Sequence, residues 1–116
     1  MQRGGGSFDG TLVDCVISGN HSPRGGGVDG GSLANCTISA NAASHSGGGA
    51  INATLHDCQV LDNTAFFSGG GVMYSTVTDS ELRGNASTSS SGGGGGGANQ
   101  STLTGCTISN NTSAGL

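Results

Sequence analysis

The sequence predicts an all-β fold, a right-handed parallel β-helix built as a solenoid of five coils of about 22 residues. Two observations carry this expectation. A Gly triplet begins at Gly4, Gly25, Gly47, Gly69 and, within a six-Gly run, Gly95, at intervals of 21, 22, 22 and 26 residues. Four further columns stay in phase with it, giving a pattern close to GGG-x5-L-x2-C-x-I-x2-N. Five columns held over five units exclude a disordered linker, which the Gly-rich, charge-poor composition would otherwise suggest.

Each column predicts an element. The Leu column (Leu12, Leu33, Leu55, Val77, Leu103) and the Ile column (Ile17, Ile38, Val60, Leu82, Ile108) supply interior aliphatics. In Cys36-Thr37-Ile38 the apolar residues lie two apart, so both face inward and Thr37 faces out. Leu33 precedes Cys36 by three, which places a corner between them. The fourth position of each unit (Ser7, Val28, Ala50, Val72, Ala98) is small or apolar and is expected to face in. Asn20, Asn41, Asn63, Asn85 and Asn111 predict a stacked amide ladder, with hydrogen bonds to the coils above and below. The triplets predict corners of unusual φ, although the pattern does not say why three glycines are needed.

The alternatives fail on local physics. A helical repeat does not survive a Gly triplet at about 1 kcal/mol per Gly. A leucine-rich repeat needs several Leu per unit, and here there is one. The whole chain, 1–116, reads as a single β-helix segment, with Ser87 to Gly94 forming an enlarged turn between coils four and five. No capping pattern is visible at either end, so a fragment of a longer protein is expected, with end-to-end self-association.

With seven acids, three Arg and no Lys, the net charge is −4. The Arg residues are scattered, which excludes a nucleic-acid surface. No apolar run reaches a membrane span, and Met1-Gln2-Arg3 enters the first triplet without the apolar region of a signal peptide.

The units Ile17-Ser18-Gly19-Asn20, Ile38-Ser39-Ala40-Asn41 and Gly47-Gly48-Gly49-Ala50-Ile51 resemble the FxxN and GGAI repeats of chlamydial polymorphic outer membrane proteins. They also resemble the wider group of bacterial surface proteins with pectate-lyase-like β-helices. Ile, Val or Leu replaces the Phe of FxxN in every coil. The resemblance covers essentially the whole chain. It implies an extracellular or outer-membrane surface location, an adhesin-like passenger role without catalysis, and host-cell, matrix or polysaccharide partners.

Cys15, Cys36, Cys58 and Cys106 contain no CxxC, so a zinc site is not expected. They read as a column of buried thiols, a position that Ser80 fills in the fourth coil. His21, His45 and His56 fall in three different columns and do not align as ligands. No catalytic, cofactor or metal residue is assigned. Two alternatives compete with the scaffold reading. Asp57, Asp79 and Glu81 could converge on one outer face, as a polysaccharide-processing enzyme requires, although Asp there also suits a corner. The column Thr11, Ser32, Thr54, Thr76, Thr102 allows an ice-binding face, although β-propensity explains Thr there equally well.

Overall fold

The computed structural model of the chain describes residues 6–88 and 95–113. The described residues form a parallel β-solenoid with four sheets, each of five strands in chain order. The first face holds Ser7–Phe8, Val28–Asp29, Ala50–Ile51, Val72–Met73 and Ala98–Asn99. The second holds Thr11–Val13, Ser32–Ala34, Thr54–His56, Thr76–Thr78 and Thr102–Thr104. Val16–Ser18, Thr37–Ser39, Gln59–Leu61, Glu81–Arg83 and Thr107–Ser109 make the third. The fourth comprises His21–Arg24, Ala42–Ser46, Thr64–Ala65, Ala86–Ser87 and Thr112–Ser113. The shortest extent of the molecule, 20 Å, matches four steps of the roughly 4.8 Å strand spacing.

The periodic columns stack in register. Leu12, Leu33, Leu55, Val77 and Leu103 pair in turn on the second face. Ile17, Ile38, Val60, Leu82 and Ile108 do so on the third. Val28, Ala50 and Val72 on the first face are fully buried, as are Ile38, Leu55, Val60, Val77 and Leu82. Each buried aliphatic contributes roughly 1.5–3 kcal/mol. One coil buries little alone, so the gain comes from its neighbours.

Among the described residues the coils turn through positions in the left-handed region, one at each corner except where Gly30 and Gly31 both adopt it. The column Asp9, Gly30, Asn52, Tyr74, Gln100 turns the first face into the second. Asp14, Asn35, Asp57, Asp79, Gly105 turns the second into the third, and Gly19, Ala40, Asp62, Gly84, Asn110 the third into the fourth. The first glycine of each described triplet (Gly25, Gly47, Gly69, Gly95) makes the fourth corner, at φ between 61° and 68°.

The asparagine ladder has the expected two-way bonding. Asn41 donates its backbone N–H and its Nδ2 to Asn63 Oδ1 at 2.9 and 3.0 Å, and Nδ2 also donates to Ile17 O at 3.0 Å. Asn63 repeats this with Asn85 Oδ1 and Ile38 O, and Asn85 with Asn111 Oδ1 and Val60 O. Each amide therefore bonds the coil before it and the coil after it.

The structure also explains the triplet. Its first glycine needs positive φ. Its second lies against the opposite wall: a Cβ on Gly48 would fall 2.5 Å from the Thr64 carbonyl carbon, and one on Gly26 would fall 2.5 Å from Ala42 O. Its third faces the amide ladder: a Cβ on Gly27, Gly49, Gly71 or Gly97 would fall 2.9–3.1 Å from the Nδ2 of Asn41, Asn63, Asn85 or Asn111. Each glycine is thus excluded from change for its own reason.

Length variation is confined to the stretch from the fourth-face strand to the next triplet. Within the strands His21–Arg24 and Ala42–Ser46 the register shifts after Ser22, and Arg24 pairs with Ser46. The expected turn from Ser87 needs correcting at its start. Ser87 is a strand residue, paired with Ala65 and Ser113 and buried, because the fourth-face register continues through it. Residues 89–94 of that turn lie outside the described residues.

Asn63→Ala leaves the Asn41 donors and Ile38 O without partners inside the stack, at roughly 1–3 kcal/mol for each buried group. Denaturant unfolding should show a loss of about 3 kcal/mol or more, and a smaller loss for Asn20→Ala in the half-buried first coil. Equal, small losses would mean that the ladder does not hold the coils. Gly48→Ala should abolish the cooperative thermal transition. Gly19→Ala should cost only about 1–2 kcal/mol, since a Cβ there meets nothing within 4 Å and Ala40 already occupies that column.

Candidate functional site

The corner between the second and third faces collects most of the chemistry-bearing side chains. Asp14, Asn35, Asp57 and Asp79 occupy it at φ of 57°, 54°, 54° and 52°. Asp and Asn tolerate that conformation better than most residues. The next residue then points inward, where its Sγ or Oγ donates to the carbonyl two residues back. Cys36 reaches Ala34 O at 3.3 Å, Cys58 reaches His56 O at 3.4 Å and Ser80 reaches Thr78 O at 2.9 Å. The cysteines also approach the preceding coil, Cys36 at Leu12 O and Cys58 at Leu33 O. They therefore plug the corner as weak donors as well as filling space.

Cys15, Cys36, Cys58 and Cys106 are free thiols, the middle two buried and the outer two half-buried. Burial pushes the Cys58 thiol above its ordinary value of 9.0. Hydrogen bonding from the backbone at Cys36 and His56 pulls the other way, and the adjacent Cys36 thiol adds to the rise.

At the left-handed corners, the carboxylates follow a rule. A carboxylate oxygen of Asp9, Asp62 or Asp79 occupies the space that a Cβ would need on Gly30, Gly84 or Gly105 of the next coil. Asp14 instead accepts a 2.6 Å hydrogen bond from Asn35 Nδ2. Asp57 departs from the rule, because the next residue in its column is Asp79. His56 lies against both, with Nε2 3.3 Å from Asp57 Oδ2 and Nδ1 4.0 Å from Asp79 Oδ2. All three side chains are more than half exposed. Their donor atoms lie within 4.8 Å of one another, the one such cluster among the described residues. Beside them Asp57, Gln59, Asp79, Glu81, Gly105 and Thr107 line an open concavity of about 400 Å³. Arg83 turns to Glu81, Nε to Oε2 at 3.2 Å.

The acids therefore converge as the sequence suggested, and His56 joins them. Its place was legible in principle, since a shift of one coil brings Asp79 beside the neighbour of Asp57. The column Thr11, Ser32, Thr54, Thr76, Thr102 is exposed and in register. The parallel outward column is mixed: Val13, Ala34, His56, Thr78, Thr104. His45 lies apart from the acid cluster, packed on Phe67 at 4.9 Å between centroids, with Phe66 edge-on to Phe67. The repeat did not foretell this aromatic group, because it occupies the segment where coil length varies.

Cys36 and Cys58 should resist a thiol reagent in the native protein, with Cys15 and Cys106 reacting sooner and all four reacting in denaturant. Rapid native labelling of Cys58 would overturn the interior placement. Because the folded thiol holds its proton more tightly, its contribution to stability is complete below the unfolded value and falls as pH rises above it. Alkaline melting should therefore be blunted in Cys58→Ser.

Searches of curated proteins and of solved structures give no match to the chain. A family model described as "Periplasmic copper-binding protein (NosD)" matches residues 6–116. The match spans all five coils, and the chain belongs to that family.

Proposed function

We propose that the chain is a scaffold segment of a periplasmic or cell-surface β-helix, adhesin-like in use and without catalysis of its own. The observation that carries this reading is repetition on the outside. Like positions present Thr, Ser, Ala or Gln at nearly the same place in successive coils, as with Thr54 over Ser32 and Gln59 over Thr37. Such a surface binds an extended partner, a glycan or a matrix chain, through many weak polar contacts whose strength grows with coil number. The family description supports a location outside the cytoplasm, and the surface-passenger resemblance supports adhesion. Ice binding fits less well, because the Thr column has no matching Thr column beside it.

The family description also names copper, and the donors can be tested against it. The thiols do not fit. Cys36 and Cys58 are buried and bonded to carbonyls, and Cys58 holds its proton, whereas copper ligation requires thiolates. His56, Asp57 and Asp79 do fit a divalent ion that accepts nitrogen and oxygen. They would hold it by one imidazole and two carboxylates, with its other positions open to solvent. This second reading is favoured by the stacked pair Asp57–Asp79. It makes the corner a binding point on the scaffold.

Binding to immobilised polysaccharide or matrix should rise with added coils, and incubation with polygalacturonate, with or without Ca²⁺, should yield no cleavage. Turnover abolished by Asp79→Ala would overturn the scaffold reading. For the ion, titration calorimetry with Cu²⁺ should give one weak site that His56→Ala removes. Unchanged binding in that variant would place copper elsewhere.

A further inference from the structure

We propose that the exposed ring of Phe66, braced by Phe67 and His45, is the stacking anchor for one sugar ring of a neutral β-linked polysaccharide lying on the fourth face. The inference rests on the scaffold reading, which calls for an extended glycan partner, and names where that partner is gripped.

Aromatic side chains are scarce here: three Phe, one Tyr and no Trp. Two of the Phe and an imidazole nevertheless meet at one point. Phe67 lies 4.9 Å from His45 and 5.3 Å from Phe66 between ring centroids, edge-on to the latter. The backbone fixes all three. Phe66 N–H donates to Ala43 O at 3.1 Å and Phe67 N–H to His45 O at 2.7 Å. His45 Nδ1 is tied to Ser46 Oγ at 2.9 Å. Phe67 is half-buried and props Phe66, which is 49% exposed. The rings are set before any ligand arrives, so binding does not have to order them.

The surroundings select the occupant. Ala43, Ala65 and Ser87 are buried in register on the fourth face. Their neighbours Ala42, Ser44, Thr64, Phe66, Ala86 and Thr88 therefore point outward. None of the six carries a charge, so this strip offers nothing to pair with an anionic or cationic ligand. A stable protein partner would need roughly 800 Å² of surface with an apolar centre. One ring among Ala, Ser and Thr does not supply that. It matches a single sugar ring. A β-linked hexose with equatorial hydroxyls turns C–H bonds to both of its faces, and one such face covers the phenyl ring. Its hydroxyls then reach past the ring edge. There stand Thr64, two residues back on the same strand, and Ser44 and Thr88, one coil to either side. The rings also occupy the segment that lies outside the repeat, where a solenoid accepts changes without disturbing its core.

Because the chain has no Trp, Phe66→Trp places a single indole at the anchor. Titration of that variant with cellohexaose or mannohexaose should shift its emission to the blue and saturate. Thr76→Trp, on the exposed second face, should give no shift. Phe66→Ala should keep its β-sheet circular dichroism and bind the same oligosaccharides about fivefold to tenfold more weakly. Oligogalacturonate and phosphatidylcholine vesicles should leave the Phe66→Trp emission unchanged. Equal shifts from both indoles, a shift with vesicles or uronate but not with neutral sugar, or unaltered affinity in folded Phe66→Ala would overturn the proposal. Glycan binding that grows with coil number yet ignores Phe66→Ala keeps the scaffold reading and removes only this anchor. A wild-type chain that binds no glycan removes both.

Discussion

Burying Asn41, Asn63 and Asn85 completely would cost roughly 2–7 kcal/mol each if their amides were left unsatisfied. The ladder avoids that cost only when successive coils sit one strand spacing apart with the asparagines in register. That condition then fixes other features. The third glycine of each triplet must leave room for Nδ2, and the second must let the wall bearing Thr64 or Ala42 come close. The aliphatic columns meet because the amides hold them at a common height. A slip of one residue would take Ile38 out of the core and Asn41 off its partners together, so register is specified twice, by polar and by apolar groups.

The columns were legible because stacking turns a distance in space into a fixed interval along the chain. Any position that must match its neighbour above repeats every 21 or 22 residues, or 26 across the longer fourth coil, and the Leu, Ile, Asn and Gly positions all do. The reason for three glycines was hidden, since it depends on which carbonyl faces them across the coil. That partner is some sixteen residues away along the chain (Thr64 for Gly48). Ser87 was misplaced because small polar residues before a Gly run look like a turn, while its actual state depends on pairing with Ala65. Phe66 and Phe67 belong to the segment that does not repeat, so no column marked them.

The candidate site was legible in part for the same reason. Asp57 and Asp79 share a column, and their proximity follows from the repeat alone. Glu81 shares an outward column with Gln59. His56 was set aside because its own column holds no second histidine. A ligand cluster on a solenoid need not run along one column, however. It can step diagonally, from one residue to the next in sequence and then up one coil.

That diagonal step matters for how function arises on a repetitive surface. Asp9, Asp62 and Asp79 each face a glycine in the next coil, and Asp14 faces an amide. These pairings let corner carboxylates exist at a one-strand spacing without like-charge contact. Where Asp79 follows Asp57 the device is missing, and charge accumulates in a patch more than half exposed, beside an imidazole whose two nitrogens face the two acids. Regularity gives the rest of the exterior its weak, distributed contacts. The break in regularity between the third and fourth coils gives it one place where charge, shape and donor chemistry coincide.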